Sequence, residues 1–191
     1  MRYETVIIGG SAGAGQVLDT ILAAIPADWE LSVLAVQHLH PADDGAFARH
    51  LARATRVPVV EPCDKQRVEP GRVYTAPANY HMLVERNGAI SLSVDEKVNW
   101  SRPSIDVLFE SVACAWGKAV IAVLLSGAST DGAEGMRAVK DAGGVTIAQD
   151  PTTAQVPLMP QSAIDAGAVD EVLQPDEIGP RVVRLAGERN L

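Results

Sequence analysis

Residues 6–26 read VIIGGSAGAGQVLDTILAAIP, and this stretch decides the fold. It begins with apolar β-branched residues, continues with glycines around Ser11, and ends with apolar residues spaced for one face of a helix. The pattern predicts a strand, a tight turn and a helix in succession. A glycine-rich turn in this setting can hold a phosphate group, present a serine as a nucleophile, or cap the helix with the serine hydroxyl.

The same alternation of strand and helix continues along the chain. Strands are predicted at 31–36, at 57–60 and within KAVIAVLLSG, VTIAQD and AVDEVL, and helices within DDGAFARHLARATRV, RPSIDVLFESVACAWG, TDGAEGMRAVKDAGG and MPQSAIDAG. Asp43 or Asp44 is expected to cap the first of these helices. Residues 72–94 instead hold two alternating segments around Asn87 and Gly88, a pair typical of a hairpin turn.

This order of elements predicts the fold class. Strands that alternate with helices form parallel sheets with helices on both faces. We therefore expect an α/β protein with a three-layer, doubly wound, mostly parallel sheet and an antiparallel β-hairpin insertion. The chain is expected to form a single domain over residues 1–191.

Composition excludes several classes of function. The 191 residues are 47% hydrophobic, enough for a sizeable core, and carry a formal net charge of -8. Because nucleic-acid binding needs clustered Lys and Arg, no nucleic-acid partner is expected. The sequence shows no targeting pattern and no apolar run of spanning length, so we expect a cytoplasmic protein without direct membrane insertion. Cys63 and Cys114 have no metal-ligand spacing and are expected to be reduced, packed thiols.

Glycine spacing separates the functions that the Ser11 turn could have. Gly10 and Gly15 have the separation of a phosphate loop, but Gln16 follows where such a loop needs lysine. No set of glycines here gives the G-x-G-x-x-G of dinucleotide binding. Residues 9–13, GGSAG, match G-x-S-x-G, in which small neighbours leave a serine hydroxyl exposed on a sharp strand-to-helix turn. The match favours a nucleophile and leaves a helix-capping serine as the alternative.

Two further chemical groups follow predicted strands. His38 comes directly after the second strand, and Asp131 follows the strand in KAVIAVLLSG. The carboxyl ends of parallel strands meet at one edge of a sheet, so Ser11, His38 and Asp131 are expected to form a Ser-His-Asp triad. The rival histidines are His40, His50 in a predicted helix and His81 in the hairpin.

Helix capping is an alternative role for Asp131 and Asp106, which lie near the starts of predicted helices. Asp131 precedes one predicted helix, and Asp106 lies near the start of another. Aspartates in these places commonly cap a helix or complement its dipole. Helix capping therefore stays open beside the catalytic interpretation of Asp131.

Six sequence blocks together resemble one known family. VIIGGSAGA, VQHLHP, VYTAPANYHM, RPSIDVLFESVA, LLSGASTDGAEGM and MPQSAI occur in the order and spacing of the catalytic domain of the chemotaxis methylesterases of the CheB family. The resemblance covers nearly the whole chain. It implies a parallel α/β sheet with an antiparallel hairpin, and it implies Ser11 as nucleophile, His38 as base and Asp131 as the orienting acid. Backbone N–H groups of Ala12, Gly13 and Ala128 are then expected to hold the oxyanion.

The resemblance also implies a substrate and partners. Such domains remove methyl groups from glutamate esters on the cytoplasmic helices of methylated chemoreceptors, within a phosphorelay, and they deamidate certain receptor glutamines. No metal and no organic cofactor is implied. The sequence departs from the family at Ala128, where methionine is usual, and at Trp100 and Ser101, where arginine and histidine are common.

Regulation and two alternative functions complete the expectations. Family members commonly begin with a phosphorylatable receiver domain, for which the residues before Val6 leave no room, so a separate regulatory protein is expected. The alternatives are a non-catalytic adaptor of a sensory pathway and an esterase or amidase that acts on a small substrate.

Overall fold

The computed structural model describes residues 3–187, which form a seven-stranded parallel sheet, a separate two-stranded antiparallel sheet and flanking helices. In chain order the strands are β1 (Thr5–Gly10), β2 (Ser32–Gln37), β3 (Val59–Val60), β4 (Val73–Thr75), β5 (His81–Val84), β6 (Ile90–Ser93), β7 (Val120–Leu124), β8 (Val145–Gln149) and β9 (Glu171–Leu173). The large sheet has the order β3-β4-β2-β1-β7-β8-β9, and β5 pairs with β6. This architecture confirms the predicted fold class.

Helices cover both faces of the large sheet. Within residues 3–187 the α-helices are α1 (Gly15–Ala24), α2 (Ala46–Leu51), α3 (Ile105–Trp116), α4 (Ala133–Asp141), α5 (Leu158–Asp165) and α6 (Pro175–Gly187). Apolar residues of α1 and α6 belong to the core on one face, and those of α3, α4, α5 and the β5–β6 hairpin to the core on the other. None of these helices is both long enough and apolar enough to cross a lipid bilayer.

Successive residues of the central strand alternate between the two cores. Val6 and Ile8 of β1 pack in the core of α1 and α6, whereas Ile7 packs in the core of α3 and α4. All three side chains are at most 1% exposed. A strand buried on both faces has no polar alternation, which is why β1 appears in the sequence as a continuous apolar run.

The sheet register gathers three chain segments at one edge. β1 pairs with β2 on one side and with β7 on the other, and Gly10 lies opposite Gln37 while Gly9 lies opposite Leu124. The chain proceeds from β1 in one direction to β2 and later in the opposite direction to β7, so strand order switches here. Ser11, His38 and the loop after β7 therefore emerge together at a switch point, where parallel sheets commonly bind ligands.

Several elements differ from their predictions. The chain segment 72–94 does not form one hairpin, because Val73–Thr75 joins the large sheet as β4 in parallel with β2 and β3. Helix α2 is only six residues long and begins after Gly45 rather than at an aspartate cap, although Asp43 accepts a hydrogen bond from the Gly45 N–H. The patterns above predict no element after AVDEVL, yet Pro175–Gly187 forms α6, with Ile178, Val182 and Leu185 buried against the sheet.

The cysteine prediction is also wrong in one respect. Cys63 and Cys114 are free thiols, but both are exposed rather than packed in the core. Cys63 lies in a loop, and Cys114 lies on α3 with its sulfur 3.6 Å from an Arg86 nitrogen. Buried cysteine is the common case for free thiols, so composition alone misleads here.

Candidate active site

Backbone hydrogen bonds hold Ser11 at the end of β1. Its N–H donates to the Ser126 carbonyl at 2.9 Å, and its carbonyl accepts from the Gln37 side chain at 2.7 Å. Gly13 has a φ of 82°, and a Cβ placed there would lie 2.5 Å from Cβ of Gln155. Both the left-handed backbone and the lack of space require glycine, so the turn that carries Ser11 is tightly defined.

Free N–H donors surround this serine. A Cβ placed on Gly127 would lie 3.0 Å from Cβ of Ser11, so the loop after β7 is in contact with the serine turn. Within residues 3–187, the N–H groups of Ala12, Gly13 and Ala128 donate to no protein acceptor, whereas the Gly127 N–H is bonded to the Val156 carbonyl. The three predicted oxyanion donors are therefore available for a ligand oxygen.

His38 and Asp131 form a direct pair. The N–H of His38 donates to the Gly10 carbonyl at 3.2 Å, which places the residue beside the end of β1. Its ring Nε2 lies 2.7 Å from Oδ2 of Asp131, and the two side chains are 15% and 0% exposed. Removal from water strengthens such a contact.

Asp131 is surrounded by donors from the start of α3. Besides His38, it accepts hydrogen bonds from the Ser104 hydroxyl at 2.8 Å and from the N–H groups of Ile105 and Asp106 at 2.7 and 3.1 Å. Burial alone would raise the pKa of Asp131, but the bonds from His38, Ile105 and Ser104 outweigh it and lower the pKa to about 2. The carboxylate is ionised at neutral pH and does not cap the helix that follows it.

The ionised Asp131 determines which nitrogen of His38 carries the proton. A carboxylate only accepts hydrogen bonds, so Nε2 of a neutral His38 carries hydrogen and Nδ1 carries the lone pair. The Ser101 hydroxyl lies 3.3 Å from Nδ1 and donates to it. Among the described residues no hydrogen bond joins the Ser11 hydroxyl to His38, although Ser11 is on the adjacent loop.

A second buried carboxyl, Asp106, lies beside Asp131. It accepts the Gly132 and Gly135 N–H groups at 2.8 and 2.7 Å, and thus caps α4 rather than its own helix. The Asn99 amide nitrogen lies 2.8 Å from Asp106 and 3.2 Å from Asp131. Burial, followed by the charge of Asp131, raises the pKa of Asp106 to about 7.

The sequence patterns do not predict the residues that bind Asp131 and the far nitrogen of His38. Asp106 has a capping signature, but its acceptor role joins positions 26 and 29 residues further along the chain. Asn99 and Ser101 have no local signature at all. Of the two, only Ser101 is indicated by the sequence, as one of its departures from the CheB-family pattern.

The rival histidines have other partners. His81 is buried, with Nε2 bonded to the Glu96 carbonyl and Nδ1 to the Ser104 N–H. His50 pairs with Asp19, and His40 accepts from the N–H of Ala42 in its own loop. Within residues 3–187 none of the three is hydrogen-bonded to Ser11 or Asp131, and His, Cys, Asp and Glu side chains form no group suited to a metal ion.

Sequence comparison identifies the family. The sequence model of the CheB methylesterase family matches residues 6–182. The chain belongs to the CheB methylesterase family. This match includes Ser11, His38 and Asp131 and confirms the resemblance drawn from the six sequence blocks.

Individual relatives agree with this assignment. A Leptospira interrogans protein is 42% identical over 185 residues, which cover 97% of this chain and 96% of that protein. A Pseudomonas aeruginosa protein-glutamate methylesterase/protein-glutamine glutaminase 2 is 38% identical, but the match covers 54% of it. The crystal structure of the Thermotoga maritima CheB methylesterase catalytic domain superposes with a TM-score of 0.91 at 33% identity, covering 97% of this chain and 100% of that one.

Proposed function

We propose that this CheB-family chain is a serine hydrolase that removes methyl esters from glutamate side chains of chemoreceptors. The observation that carries the proposal is the buried His38–Asp131 pair, whose Nε2 and Oδ2 atoms lie 2.7 Å apart. This pair lies beside the glycine-rich turn of Ser11, where three N–H donors are free. Relatives that match 97% of this chain bear the name protein-glutamate methylesterase/protein-glutamine glutaminase, and the match covers about half of their own length. An adaptor without activity would not need an ionised carboxylate buried against an imidazole.

In the first chemical step, the Ser11 hydroxyl oxygen bonds to the γ-carbonyl carbon of the ester. His38 takes the serine proton on Nδ1, the nitrogen with the lone pair, while Asp131 stabilises the resulting imidazolium through Nε2. In the structure the Ser101 hydroxyl donates to Nδ1 at 3.3 Å. This hydroxyl therefore turns away from Nδ1 before Nδ1 accepts the Ser11 proton. When the carbon–oxygen bond of the ester breaks, His38 returns the proton to the leaving group and methanol departs.

The oxyanion of this step is held by backbone donors. We assign this role to the N–H groups of Ala12, Gly13 and Ala128, which have no protein acceptor in the described residues. Alanine at position 128 supplies the same N–H as any other residue. In the second step, His38 removes a proton from water, which attacks the acyl-enzyme and releases the glutamate carboxylate and Ser11.

Deamidation follows the same path with ammonia as the leaving group. The names of the relatives include protein-glutamine glutaminase, and a glutamine side chain presents its carbonyl as the ester does. The substrate is then the cytoplasmic part of a receptor, and the enzyme acts in the cytoplasm. A separate regulatory protein is the proposed source of control.

The direct test is methanol release. Membranes that bear chemoreceptors labelled at their methyl esters are incubated with the 191-residue protein, and volatile label is counted over time. We expect release by the wild type and none above background by Ser11→Ala. Absence of release by the wild type, with retained hydrolysis of a small methyl ester, would instead support the small-substrate alternative.

A further inference from the structure

A strained turn lies next to His38. Val98 and Ser101 exchange two backbone hydrogen bonds of 3.2 and 2.9 Å, and the two residues between them, Asn99 and Trp100, have φ of 48° and 64°. Positive φ at both central positions defines a type I′ turn, which favours asparagine and glycine. Tryptophan at the second central position is strained, and such strain is typical of functional sites.

The neighbours of Trp100 in this turn all have contacts inside the protein. Asn99 binds the carboxyl groups of Asp106 and Asp131, and Ser101 binds Nδ1 of His38. Arg102 donates to two backbone carbonyls at the end of β6, at 2.7 and 2.8 Å. These bonds fix the turn, and they leave the Trp100 side chain as the one pointing outward, 94% exposed.

Trp100 belongs to a group of exposed apolar side chains that we call the apolar rim: Tyr80, Val94, Val98 and Trp100. Tyr80 directly precedes His81 and Val94 directly follows Ser93, and because His81 pairs with Ser93, Tyr80 and Val94 lie together at the open end of the hairpin. Two exposed large hydrophobic residues in the described chain lie elsewhere, on α5 and β9. Large exposed apolar groups that cluster beside a catalytic histidine indicate a surface for a macromolecule.

The space between the apolar rim and His38 favours one kind of occupant. A cavity of about 200 Å³ opens there, lined by His38, Trp100 and Ser101 among others. Lys97 and Arg102 also line it, both cationic in a chain whose net charge is -8, and no acidic side chain does. Apolar contacts beside two cations complement a helix that carries both apolar residues and carboxylates.

We propose that the apolar rim, with Trp100 as its most exposed member, is the surface on which the receptor helix docks while its methyl ester reaches Ser11. This inference rests on the proposed function and adds to it a residue that distinguishes a protein substrate from a small ester. The receptor helix is the occupant because the rim is continuous with the catalytic histidine through Ser101. A small ester contacts only Ser11 and the oxyanion donors.

The test separates docking from catalysis by using two substrates. Trp100→Gly suits the turn, since glycine adopts a φ of 64° without strain and the fold is retained. We expect the kcat/KM of Trp100→Gly for labelled methylated receptor to fall by about tenfold or more, mainly through KM, as for central tryptophans of interfaces. Hydrolysis of N-acetylglutamate γ-methyl ester should stay within about twofold of the wild type, a loss too small for a residue that takes part in the chemistry.

Two control variants complete the experiment. Trp100→Phe keeps an aromatic surface and should retain most receptor activity. Val172→Thr changes an exposed apolar residue on β9 and should change neither rate. Equal losses on both substrates, or no loss on either, would overturn the inference. A wild type that hydrolyses the small ester but releases no methanol from receptor would overturn the proposed function, and the docking inference with it.

Discussion

The Ser11 turn lies beside the Asp131 pocket, which consists of the Asp131 carboxylate and its donors His38, Ser104, Ile105 and Asp106. The two regions differ in how far apart in the sequence their residues lie. The Ser11 turn has a local sequence signature of consecutive small residues and one left-handed glycine, and Ser126 and Gln37 only add hydrogen bonds to it from other segments. The Asp131 pocket draws its donors from residues 25 to 27 positions earlier in the chain, and from a histidine 93 positions away. A local turn can be recognised from its residue types, whereas the ionisation of Asp131 depends on contacts that only the fold creates.

The largest expected effect is at the local turn. Ser11→Ala should lower hydrolysis of any ester by about 10⁴-fold or more with the fold intact, because removing the nucleophile disables the triad as a unit. A fluorophosphonate followed by peptide mass spectrometry should label Ser11 in the wild type. Labelling of Ser101, which is the serine bonded to His38 in this structure, would reverse the assignment of the nucleophile.

At the Asp131 pocket, Asp131→Asn should lower kcat by about 10³–10⁴-fold, since the amide no longer fixes the proton on Nε2 of His38. Stability should fall as well, because an amide NH₂ in place of Oδ1 faces the Ser104 and Asp106 donors, and one in place of Oδ2 faces the Ile105 N–H. Urea unfolding and steady-state kinetics on the same preparation measure both effects. Unchanged stability would mean that the pocket contributes only to catalysis.

The requirement for glycine in the Ser11 turn can be tested with a matched pair. Gly13→Ala adds a Cβ 2.5 Å from that of Gln155 at a φ of 82°, so we expect a displaced Ser11 and an activity loss of roughly 10²-fold. Gly15→Ala adds a Cβ with no neighbour within 4 Å and should leave activity unchanged. Equal behaviour of the two variants would contradict a tightly defined turn.

The second carboxyl of the pocket predicts a pH dependence of stability. Asp106 has a pKa raised from 3.8 to about 7, so between these values the folded protein holds a proton that the unfolded chain has lost. Its contribution to the free energy of unfolding is therefore full at low pH and falls as pH rises through about 7. Asp131, with its pKa lowered to about 2, acts in the opposite sense and loses its contribution only in strong acid.

Urea titrations at pH 5 and pH 8 check this expectation. Asp106→Asn should show a smaller loss of stability between the two pH values than the wild type shows. Asp28→Asn, at an exposed position, controls for the removal of one negative charge. An identical loss in the wild type and Asp106→Asn would show that Asp106 is ionised throughout this range.

The smallest expected effect is at Ser101. Its 3.3 Å contact with Nδ1 is a single neutral hydrogen bond that breaks before Nδ1 takes the Ser11 proton, so Ser101→Ala should change kcat by no more than about fivefold. Ser101→Thr keeps the hydroxyl and should leave kcat near the wild-type value. A loss as large as that of Ser11→Ala would place Ser101 in the chemistry itself.

By itself the sequence determined the fold class, the Ser11 turn and the positions of His38 and Asp131 relative to strand ends. The physical reason is that apolar periodicity specifies strands and helices locally, and parallel strands bring their ends to one edge. The sequence did not determine the direction of the three-residue strand β4, because a run that short has no pattern of its own and takes its direction from distant partners. Helix α6 was missed although Ile178, Val182 and Leu185 have helical spacing.

Only the tertiary structure decided the protonation states and the inner contacts of the site. Asp131 and Asp106 are the same residue type at similar places before or at the start of helices, yet the pKa of one is lowered to about 2 and that of the other is raised to about 7. The difference arises because His38, Ser104 and Ile105 all donate to Asp131, while Asp106 is buried beside the resulting negative charge. Donors brought together from separate elements determine which carboxyl stays ionised, and no local pattern encodes that.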